Sequence, residues 1–400
     1  ATYYALRRRT LSQLVGDRTW RILFPALIGL FLICPLNLLI VQSYYKYDLL
    51  WIPNPGHLWF LFNIFAYILI LLPIFLLDAE KAHNITFLFA GIAAKLGLIR
   101  LFGSSKKNPV NILGLNFKNS LGVAAGFDKN ADYLTTWEQM GFGFVEVGTV
   151  TPKPQEGNPK PRLFRLPKNE SLINRMGFNN KGLDFMVAKL KNYNGDLTIG
   201  CNIGKNKNTP NVLAFEDYLA CFKGLYPYAN YFTVNVSSPN TKDLRTLQKH
   251  EELTKILNPL LAYRHTVSQK MGKKPILVKL SPDMEKDEFK NSVKFLNELD
   301  IQGLVLTNPT IKLNILQVNG EKRGNENGGL SGKVLFEESN GWLRLAKQYM
   351  PNKTIIGVGG IDSAKRAKEK LECGADAIQI YSGLVFKGPK LVQDILKIMN

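Results

Sequence analysis

The centre of the chain carries the run Tyr231-Phe232-Thr233-Val234, which is followed directly by Asn235-Val236-Ser237-Ser238-Pro239-Asn240-Thr241. The first part is aromatic and β-branched, which favours a strand. The second part holds amides, hydroxyls and a proline that cannot continue a strand ladder. A strand that ends in this way presents polar groups at the edge of a sheet, so we expect chemistry at this loop.

Short apolar runs of the same kind recur from residue 121 to the end of the chain and alternate with longer helical patterns. Each run is apolar throughout, which is typical of strands that are buried on both faces. The predicted strands are 121–125, 144–149, 197–202, 231–236, 276–280, 304–307, 355–358 and 377–381. Eight such units predict an α/β fold, a parallel (β/α)8 TIM barrel, with a doubly wound open sheet as the alternative.

Two uncharged runs lie nearer the start, at residues 22–41 and 58–77. Each has the length of about 20 residues that crosses a bilayer, so the sequence predicts two transmembrane helices, with buried helices as the alternative. An arginine cluster precedes the first run and predicts that this end lies on the positive side of the membrane. We interpret 1–66 as a membrane-anchoring segment, 67–105 as a helical microdomain and 106–400 as the catalytic barrel.

The composition limits the partners of the protein. A hydrophobic fraction of 46% and a charged fraction of 21% are those of a globular chain and exclude general disorder. The formal net charge of +19 indicates an anionic partner, which could be nucleic acid, an acidic membrane surface or a small anion. The cysteines, Cys34, Cys201, Cys221 and Cys373, are too far apart in sequence to indicate a disulfide framework or a zinc site.

The predicted strands all end in polar or glycine-rich residues, and in a parallel barrel these ends form the ligand-binding face. Gly359, Gly360, Ser382 and Gly383 follow the last two strands and offer bare backbone N–H groups to a phosphate. Lys279 lies inside a predicted buried strand, where a charge is costly unless an anion or an electron-rich ring compensates it. A phosphate-bearing aromatic cofactor such as a flavin supplies both, and a carboxylate on another strand is the alternative.

Amide side chains also collect near these ends. An amide both donates and accepts hydrogen bonds, so several together suit a small planar molecule that carries carbonyl and N–H groups, although single asparagines often only form turns. The asparagines concerned are Asn174, Asn202, Asn235, Asn240 and Asn308. No histidine follows a predicted strand, so a Ser-His-Asp arrangement is not indicated and Ser238 would need a polar network to act as a base.

With these residues the chain resembles the class 2 dihydroorotate dehydrogenases, the membrane-bound, quinone-dependent type. The resemblance extends from about Asp78 to the C-terminus. It rests on ordered runs at 124–129 (Ala-Ala-Gly-Phe-Asp-Lys), 146–152, 160–165, 174–180, 202–206, 235–241, 328–332 and 357–363.

The resemblance implies a role for each matching residue. Ser238 would be the catalytic base that takes the C5 proton of the substrate, and serine rather than cysteine at this place favours class 2 over the soluble class 1. The implied substrate residues are Lys129, Asn174, Arg175, Met176, Gly177, Phe178, Asn235, Asn240 and Asn308. The implied FMN residues are Ala125, Gly126, Phe127, Asp128, Lys129, Thr149, Asn202, Asn235, Lys279, Thr307, Gly332, Gly360, Tyr381 and Ser382. The implied quinone residues are His83, Arg165 and Tyr381.

Two positions depart from the family pattern. Asp243 stands where the family commonly has glycine, so we expect the loop over the substrate to bend or open differently. Pro309 stands where threonine is common, which removes a hydroxyl and a backbone donor. Both departures are expected to affect substrate affinity more than activity.

The expected function is oxidation of (S)-dihydroorotate to orotate, with FMN as hydride acceptor and ubiquinone as final electron acceptor, in de novo pyrimidine biosynthesis. The alternatives are a non-catalytic membrane or respiratory-assembly subunit that retains the barrel, and an FMN barrel that reduces uridine in RNA. The expected partners are dihydroorotate, ubiquinone and a lipid membrane, with a respiratory-chain assembly as a further candidate and no nucleic acid. The basic start without methionine favours the mitochondrial inner membrane, with a bacterial cytoplasmic membrane as the alternative.

Overall fold

A computed structural model of the protein describes residues 77–101, 108–241, 243–313 and 323–399. The chain divides into two compact units between Thr86 and Phe87. The predicted membrane span 22–41 and nearly all of 58–77 lie outside the described residues. Within the described ranges, no helix combines the length and the apolar character that crossing a membrane requires.

Helices α1 to α10 and strands β1 to β13 make up the regular structure of the described ranges. The helices are α1 (Ala79–Lys95), α2 (Leu134–Met140), α3 (Leu183–Lys191), α4 (Ala214–Leu225), α5 (His250–Met271), α6 (Lys286–Glu298), α7 (Phe336–Tyr349), α8 (Ala364–Glu372), α9 (Ser382–Lys387) and α10 (Lys390–Ile398). The strands are β1 (Val110–Ile112), β2 (Leu115–Phe117), β3 (Leu121–Val123), β4 (Phe144–Val150), β5 (Leu163–Leu166), β6 (Ser171–Asn174), β7 (Thr198–Ile203), β8 (Tyr231–Asn235), β9 (Ile276–Lys279), β10 (Gly303–Leu306), β11 (Gly329–Gly332), β12 (Thr354–Val358) and β13 (Ala377–Ile380).

Helix α1 begins at a side-chain cap. Asp78 Oδ1 accepts hydrogen bonds from the backbone N–H groups of Glu80 (3.0 Å) and Lys81 (3.2 Å), which would otherwise lack partners at a helix start. This helix lies within 67–105, the region interpreted from the sequence as a helical microdomain. From Phe87 onward the helix belongs to the second unit, and within this unit the Phe87 ring lies 5.0 Å from Trp137 and 4.9 Å from Tyr133.

The predicted (β/α)8 barrel is confirmed. Its strands are parallel and close in the order β10-β12-β13-β3-β4-β7-β8-β9. Each of the eight predicted strands is present, with its ends within about two residues of the expected positions. The open doubly wound sheet is thereby excluded.

The interior of the barrel is closed at the amino-terminal ends of its strands. Strands β1 and β2 form an antiparallel hairpin that carries Ile112 and Phe117 into the same apolar cluster as Phe144 and Tyr231 of the barrel. The Phe117 ring is fully buried and lies 5.0 Å from Phe144. This hairpin forms an apolar floor beneath the barrel and leaves the polar carboxyl ends of the strands for ligands.

Two glycines make room for the interior rings. A Cβ atom on Gly122 would lie 2.4 Å from the ring of Phe144, and one on Gly200 would lie 2.0 Å from the ring of Tyr231. Real side chains do not approach so closely, because interiors are already packed to the density of organic crystals. Each ring therefore occupies the space that a side chain on the neighbouring strand would need.

A small antiparallel sheet, β5-β6-β11, accompanies the barrel and was not predicted from the sequence. Its strands are four residues long, and β11 contains two glycines, so propensity gives little signal. It has a core of its own, formed by Phe164, Leu166, Ile173 and Leu330.

Asp243, the residue that departs from the family pattern, lies in a left-handed backbone conformation with φ of 55°. Its carbonyl oxygen accepts hydrogen bonds from Asn211 Nδ2 (2.9 Å) and from Thr246 Oγ1 (2.7 Å). Glycine enters the left-handed region most easily, and aspartate is among the side chains that tolerate it. Asp243 thus holds the conformation that a glycine would hold.

We predict that Phe117→Ala lowers the free energy of unfolding by about 3–5 kcal/mol, because it leaves a cavity in the apolar floor. Chemical denaturation of the full chain measures the change. Asn116→Ala is the control, since Asn116 is an exposed neighbour on the same hairpin and its loss should change the value by less than about 0.5 kcal/mol. Equal midpoints for the two variants would contradict the floor assignment.

At Asp243 we predict that a valine variant is less stable than a glycine variant by about 1–2 kcal/mol, because a β-branched residue is strained at positive φ. Both substitutions remove the same carboxylate, so their difference isolates the backbone conformation. The comparison again uses denaturation midpoints, and a valine variant as stable as the glycine variant would show that the left-handed conformation is not required.

Candidate active site

A cavity opens at the carboxyl ends of the barrel strands, where parallel barrels bind ligands. It gathers most of the residues that the sequence analysis named. The named residues in its lining are Ala125, Gly126, Lys129, Thr149, Asn174, Met176, Gly177, Phe178, Asn235, Ser238, Asn240, Lys279, Thr307, Asn308, Gly332, Gly359, Gly360, Tyr381, Ser382 and Gly383. Pro309, the second departure from the family pattern, also lines the cavity.

Phe127 and Asp128 are buried but turn away from the cavity lining. The Phe127 ring packs at 5.5 Å from Phe87 and at 5.4 Å from Trp137. Asp128 accepts hydrogen bonds from the Asp132 N–H, the Tyr133 N–H and Trp137 Nε1 at 2.8–3.1 Å. Burial raises the pKa of Asp128 to about 6, although these donors act in the opposite direction. Both residues thus anchor the loop that follows β3.

Arg175 and Asn202 also lie outside the lining. Arg175 forms an ion pair with Glu326 (2.9 Å) and stacks over the ring of Phe164. Asn202 lies one layer below the cavity and contacts two residues that line it, Thr149 and Asn235. Of the predicted quinone residues, Tyr381 lines the cavity, Arg165 lies on β5 outside the lining, and His83 belongs to the first unit.

A chain of amides and hydroxyls runs beneath the cavity. Asn235 Nδ2 donates to Thr149 Oγ1 and to Asn202 Oδ1, both at 3.0 Å. Asn235 Oδ1 accepts from the N–H and the hydroxyl of Ser237, and the same hydroxyl accepts from Asn308 Nδ2 at 2.9 Å. Because every donor in the chain has an acceptor, the orientation of each amide is fixed.

Glu146 stands at the lower end of this chain and was missed by the sequence analysis. It is fully buried on β4, and Oε1 accepts from Asn202 Nδ2 at 2.7 Å. Its other oxygen accepts from Gln379 Nε2 (2.8 Å) and Thr233 Oγ1 (3.1 Å). The sequence does contain a signal for Glu146, because a carboxylate within an otherwise apolar strand is as costly to bury as the ammonium group of Lys279.

Lys279 lies next to this network. It is 4% exposed on β9, pairs in register with Asn235 on β8, and lines the cavity. Burial lowers the pKa of its ammonium group, and the charge of Glu146 opposes that shift. The sequence analysis offered a carboxylate on another strand as an alternative to a flavin for compensating the charge of Lys279. Glu146 on β4 is such a carboxylate, but Lys279 also faces the cavity, so both kinds of partner are within reach.

The loop that carries Ser238 is held from several sides. Ser238 is 7% exposed, and its hydroxyl oxygen accepts from the Asn240 N–H at 3.3 Å. Asn240 Nδ2 in turn donates to Asn174 Oδ1 at 3.2 Å. Across the opening, Lys129 Nζ donates to the carbonyl of Gly126 at 2.9 Å.

Arg245 fastens this loop to its two neighbours and was not singled out from the sequence. Its guanidinium donates to the carbonyl of Ser237 (3.1 Å), to Asp283 (2.7 Å) and to the carbonyl of Pro309 (3.2 Å). These partners belong to the loops after β8, β9 and β10. One planar cation with several donors can bridge three loops, which no pattern within a single loop could reveal.

The opposite end of the cavity is lined by glycine and serine. Gly359 and Gly360 have φ of 116° and 74°, and a Cβ atom on Gly360 would lie 2.5 Å from Phe336. The hydroxyls of Ser331 and Ser382 lie 2.9 Å apart. Bare backbone and hydroxyl groups of this kind suit the oxygen atoms of a phosphate.

In the part of the chain that the structure covers, no group of three or more histidine, cysteine, aspartate or glutamate side chains is placed to hold a metal ion.

Comparison with known proteins gives a consistent family. Residues 108–400 match the family model described as dihydroorotate dehydrogenase. A protein from Aliivibrio fischeri (strain ATCC 700601 / ES114) named dihydroorotate dehydrogenase (quinone) is 46% identical over 329 residues, which cover 81% of this chain and 96% of that protein. A protein of the same name from Neisseria meningitidis serogroup C / serotype 2a is 44% identical over 326 residues, with coverage of 81% and 96%.

Solved structures agree. The crystal structure of DHODH from Eimeria tenella in complex with ferulenol is 34% identical, with a TM-score of 0.71, and covers 80% of this chain and 90% of that chain. The family match spans most of the chain, and the solved structure shares its fold. The chain therefore belongs to the dihydroorotate dehydrogenase family.

Proposed function

We propose that this protein uses FMN as its resident cofactor and ubiquinone as its final electron acceptor. The reaction follows from the family: the protein oxidises dihydroorotate to orotate in pyrimidine biosynthesis, with a quinone as acceptor. The family is flavin-dependent, and FMN is the flavin that suits this cavity. The observation that carries the proposal is the presence, in one cavity, of the Ser238 hydroxyl and the buried ammonium of Lys279.

The residues in the cavity fit FMN. Thr307 Oγ1 is buried without a hydrogen-bond partner among the described residues, so a ligand would supply one. Lys279 would gain the electron-rich ring and negative charge that its burial calls for. The phosphate would lie against Gly359, Gly360 and Ser382. When bound, FMN supplies a two-electron carrier that accepts the C6 hydride of dihydroorotate and is reoxidised by the quinone.

The substrate would lie between Lys129 and the asparagines. Lys129 offers a positive charge to the carboxylate of (S)-dihydroorotate, as a point charge with several donors. The amides of Asn174, Asn240 and Asn308 would bind the carbonyl and N–H edge of the pyrimidine ring, because each can donate and accept. Asn174 and Asn240 are already hydrogen-bonded to each other, which holds them for this contact.

Ser238 would act as the base. Its Oγ would take the proton from C5 of dihydroorotate while the hydroxyl passes its own proton to solvent at the cavity. The Asn240 N–H that donates to this oxygen favours its deprotonated form. Arg245 would hold the loop in place through the carbonyl of Ser237. A hydroxyl base in a cavity of this kind depends on such positioning, since its own pKa is far from neutral.

Membrane attachment is part of the proposal. The uncharged runs 22–41 and 58–77 and the use of a lipophilic quinone support it. A preference for the mitochondrial inner membrane over a bacterial cytoplasmic membrane has no support from the curated relatives reported above, which are bacterial. Assignment of His83, Arg165 and Tyr381 to a quinone site remains a prediction.

The alternative of a reductase acting on uridine in RNA requires a cysteine acid in the active-site loop. The cavity lining contains no cysteine among the described residues, and Ser238 occupies the loop. The alternative of a non-catalytic subunit offers no reason for a buried lysine, a partnerless Thr307 hydroxyl and a held serine to meet in one cavity.

We predict that Ser238→Ala retains FMN but slows flavin reduction by dihydroorotate by at least about 100-fold, because a positioned base contributes 10²–10⁴-fold to such a step. Anaerobic stopped-flow absorbance of the bleaching flavin measures the rate. The flavin spectrum of the variant is the internal control for cofactor retention. Undiminished bleaching would refute the assignment of Ser238 as the base.

The proposed electron route is tested with the unmodified protein. We expect dihydroorotate to bleach the flavin anaerobically, and ubiquinone to restore it, while fumarate and NAD do not. A colourless protein would instead support the non-catalytic alternative, and reoxidation by fumarate or NAD would contradict the quinone route.

A further inference from the structure

Lys370 is a buried lysine on α8 that the reaction outlined above does not use. The whole side chain is inaccessible to solvent. Its aliphatic part lies against β12, where a Cβ atom on Gly357 would come within 2.9 Å of Lys370 Cγ. A glycine in this strand thus leaves the space through which the lysine passes.

The ammonium group of Lys370 ends behind the cavity wall. Lys370 Nζ donates to Ser339 Oγ at 2.5 Å and lies 4.9 Å from the centre of the Phe336 ring. Ser339 Oγ contacts the carbonyl oxygens of Phe336 (2.9 Å) and Gly359 (3.2 Å). Gly359 lines the cavity at its glycine-rich end. Two contacts therefore connect the buried cation to the place where the phosphate would lie.

The surroundings of Lys370 do not balance its charge. Among the described residues, the ammonium group of Lys370 forms no ion pair, and its hydrogen-bond partner is the neutral hydroxyl of Ser339. Burial lowers the pKa of Lys370 to about 7. Cys373, Glu337 and Glu369 act against this shift, and the nearby Arg366 adds to it. An anion in the cavity would supply the missing counter-charge.

We propose that Lys370 is a positioning residue for the cofactor: through Ser339 and Gly359 it gives the glycine-rich end of the cavity the positive potential that holds a phosphate group. This inference rests on the proposed function, in which that phosphate belongs to FMN. Lys370 does not need to touch the ligand, because charges interact more strongly across a buried region than through water.

The proposal predicts that FMN binding and protonation of Lys370 are coupled. In the protein without cofactor, burial disfavours the ionised form of Lys370. The resulting loss of folding stability is fully present below pH 7 and disappears as the pH rises toward 10.5. A bound phosphate favours the ionised form. Above pH 7 the binding of FMN should therefore take up a proton at Lys370, and the affinity should fall as the pH rises.

The experiment compares two ligands that differ only in the phosphate. The full-length protein, freed of its flavin, is titrated with FMN and with riboflavin, and dissociation constants are measured from flavin fluorescence. We expect Lys370→Met to weaken FMN binding about tenfold or more and to leave riboflavin binding unchanged. Lys365→Met is the matched control, since it removes the same charge from an exposed position on the same helix and should change neither constant.

Each outcome decides the inference. Equal weakening of FMN and riboflavin would show that Lys370 is only structural, and unchanged FMN binding would show that its charge does not reach the phosphate. If the unmodified protein binds neither ligand, the proposed function itself fails and the inference falls with it.

Stability supplies a second readout that a structural role would not give. At pH 6 the flavin-free Lys370→Met variant should unfold at a higher denaturant concentration than the flavin-free parent, because it no longer buries an ammonium group. This advantage should shrink as the pH rises toward 9. A variant that is less stable than the parent at pH 6 would contradict the inference.

Discussion

The buried carboxylate of Glu146 is the constraint on which the interior of this barrel depends. It lies on β4 and accepts hydrogen bonds from side chains of β7, β8 and β13, so that one acidic group ties four strands together. Both of its oxygens accept hydrogen bonds. Asn202 must therefore turn its N–H groups toward Glu146 and its oxygen toward Thr149 and Asn235. The orientation of each later amide follows from this first one.

The barrel thus has three levels with different chemistry. Aromatic and aliphatic side chains fill the lowest level, above the floor that Ile112 and Phe117 provide. The hydrogen-bonded network around Glu146 fills the middle level and gives Lys279 an opposing charge. The uppermost level is the cavity. Because buried polar groups are costly unless they are satisfied, the middle level has to be complete before the cavity can keep its shape.

The sequence predicted this fold well, because parallel strands buried on both faces read as apolar runs with polar ends. It predicted less about where individual side chains point. Phe127 and Asp128 belong to a matching run, yet one packs on Trp137 and the other holds the start of α2, away from the cavity. Arg245 could not be found from its own loop, since its partners lie on three loops. The sheet β5-β6-β11 escaped notice because four-residue strands give too short a pattern.

The paired glycines and rings of the barrel interior have an evolutionary consequence. The ring of Tyr231 fills the space above Gly200, and that of Phe144 fills the space above Gly122. A side chain can appear at either glycine only after its ring partner has become smaller, whereas the ring can shrink first at the cost of a cavity. The order of substitutions is therefore restricted, and homologues should change these two pairs jointly or keep both members.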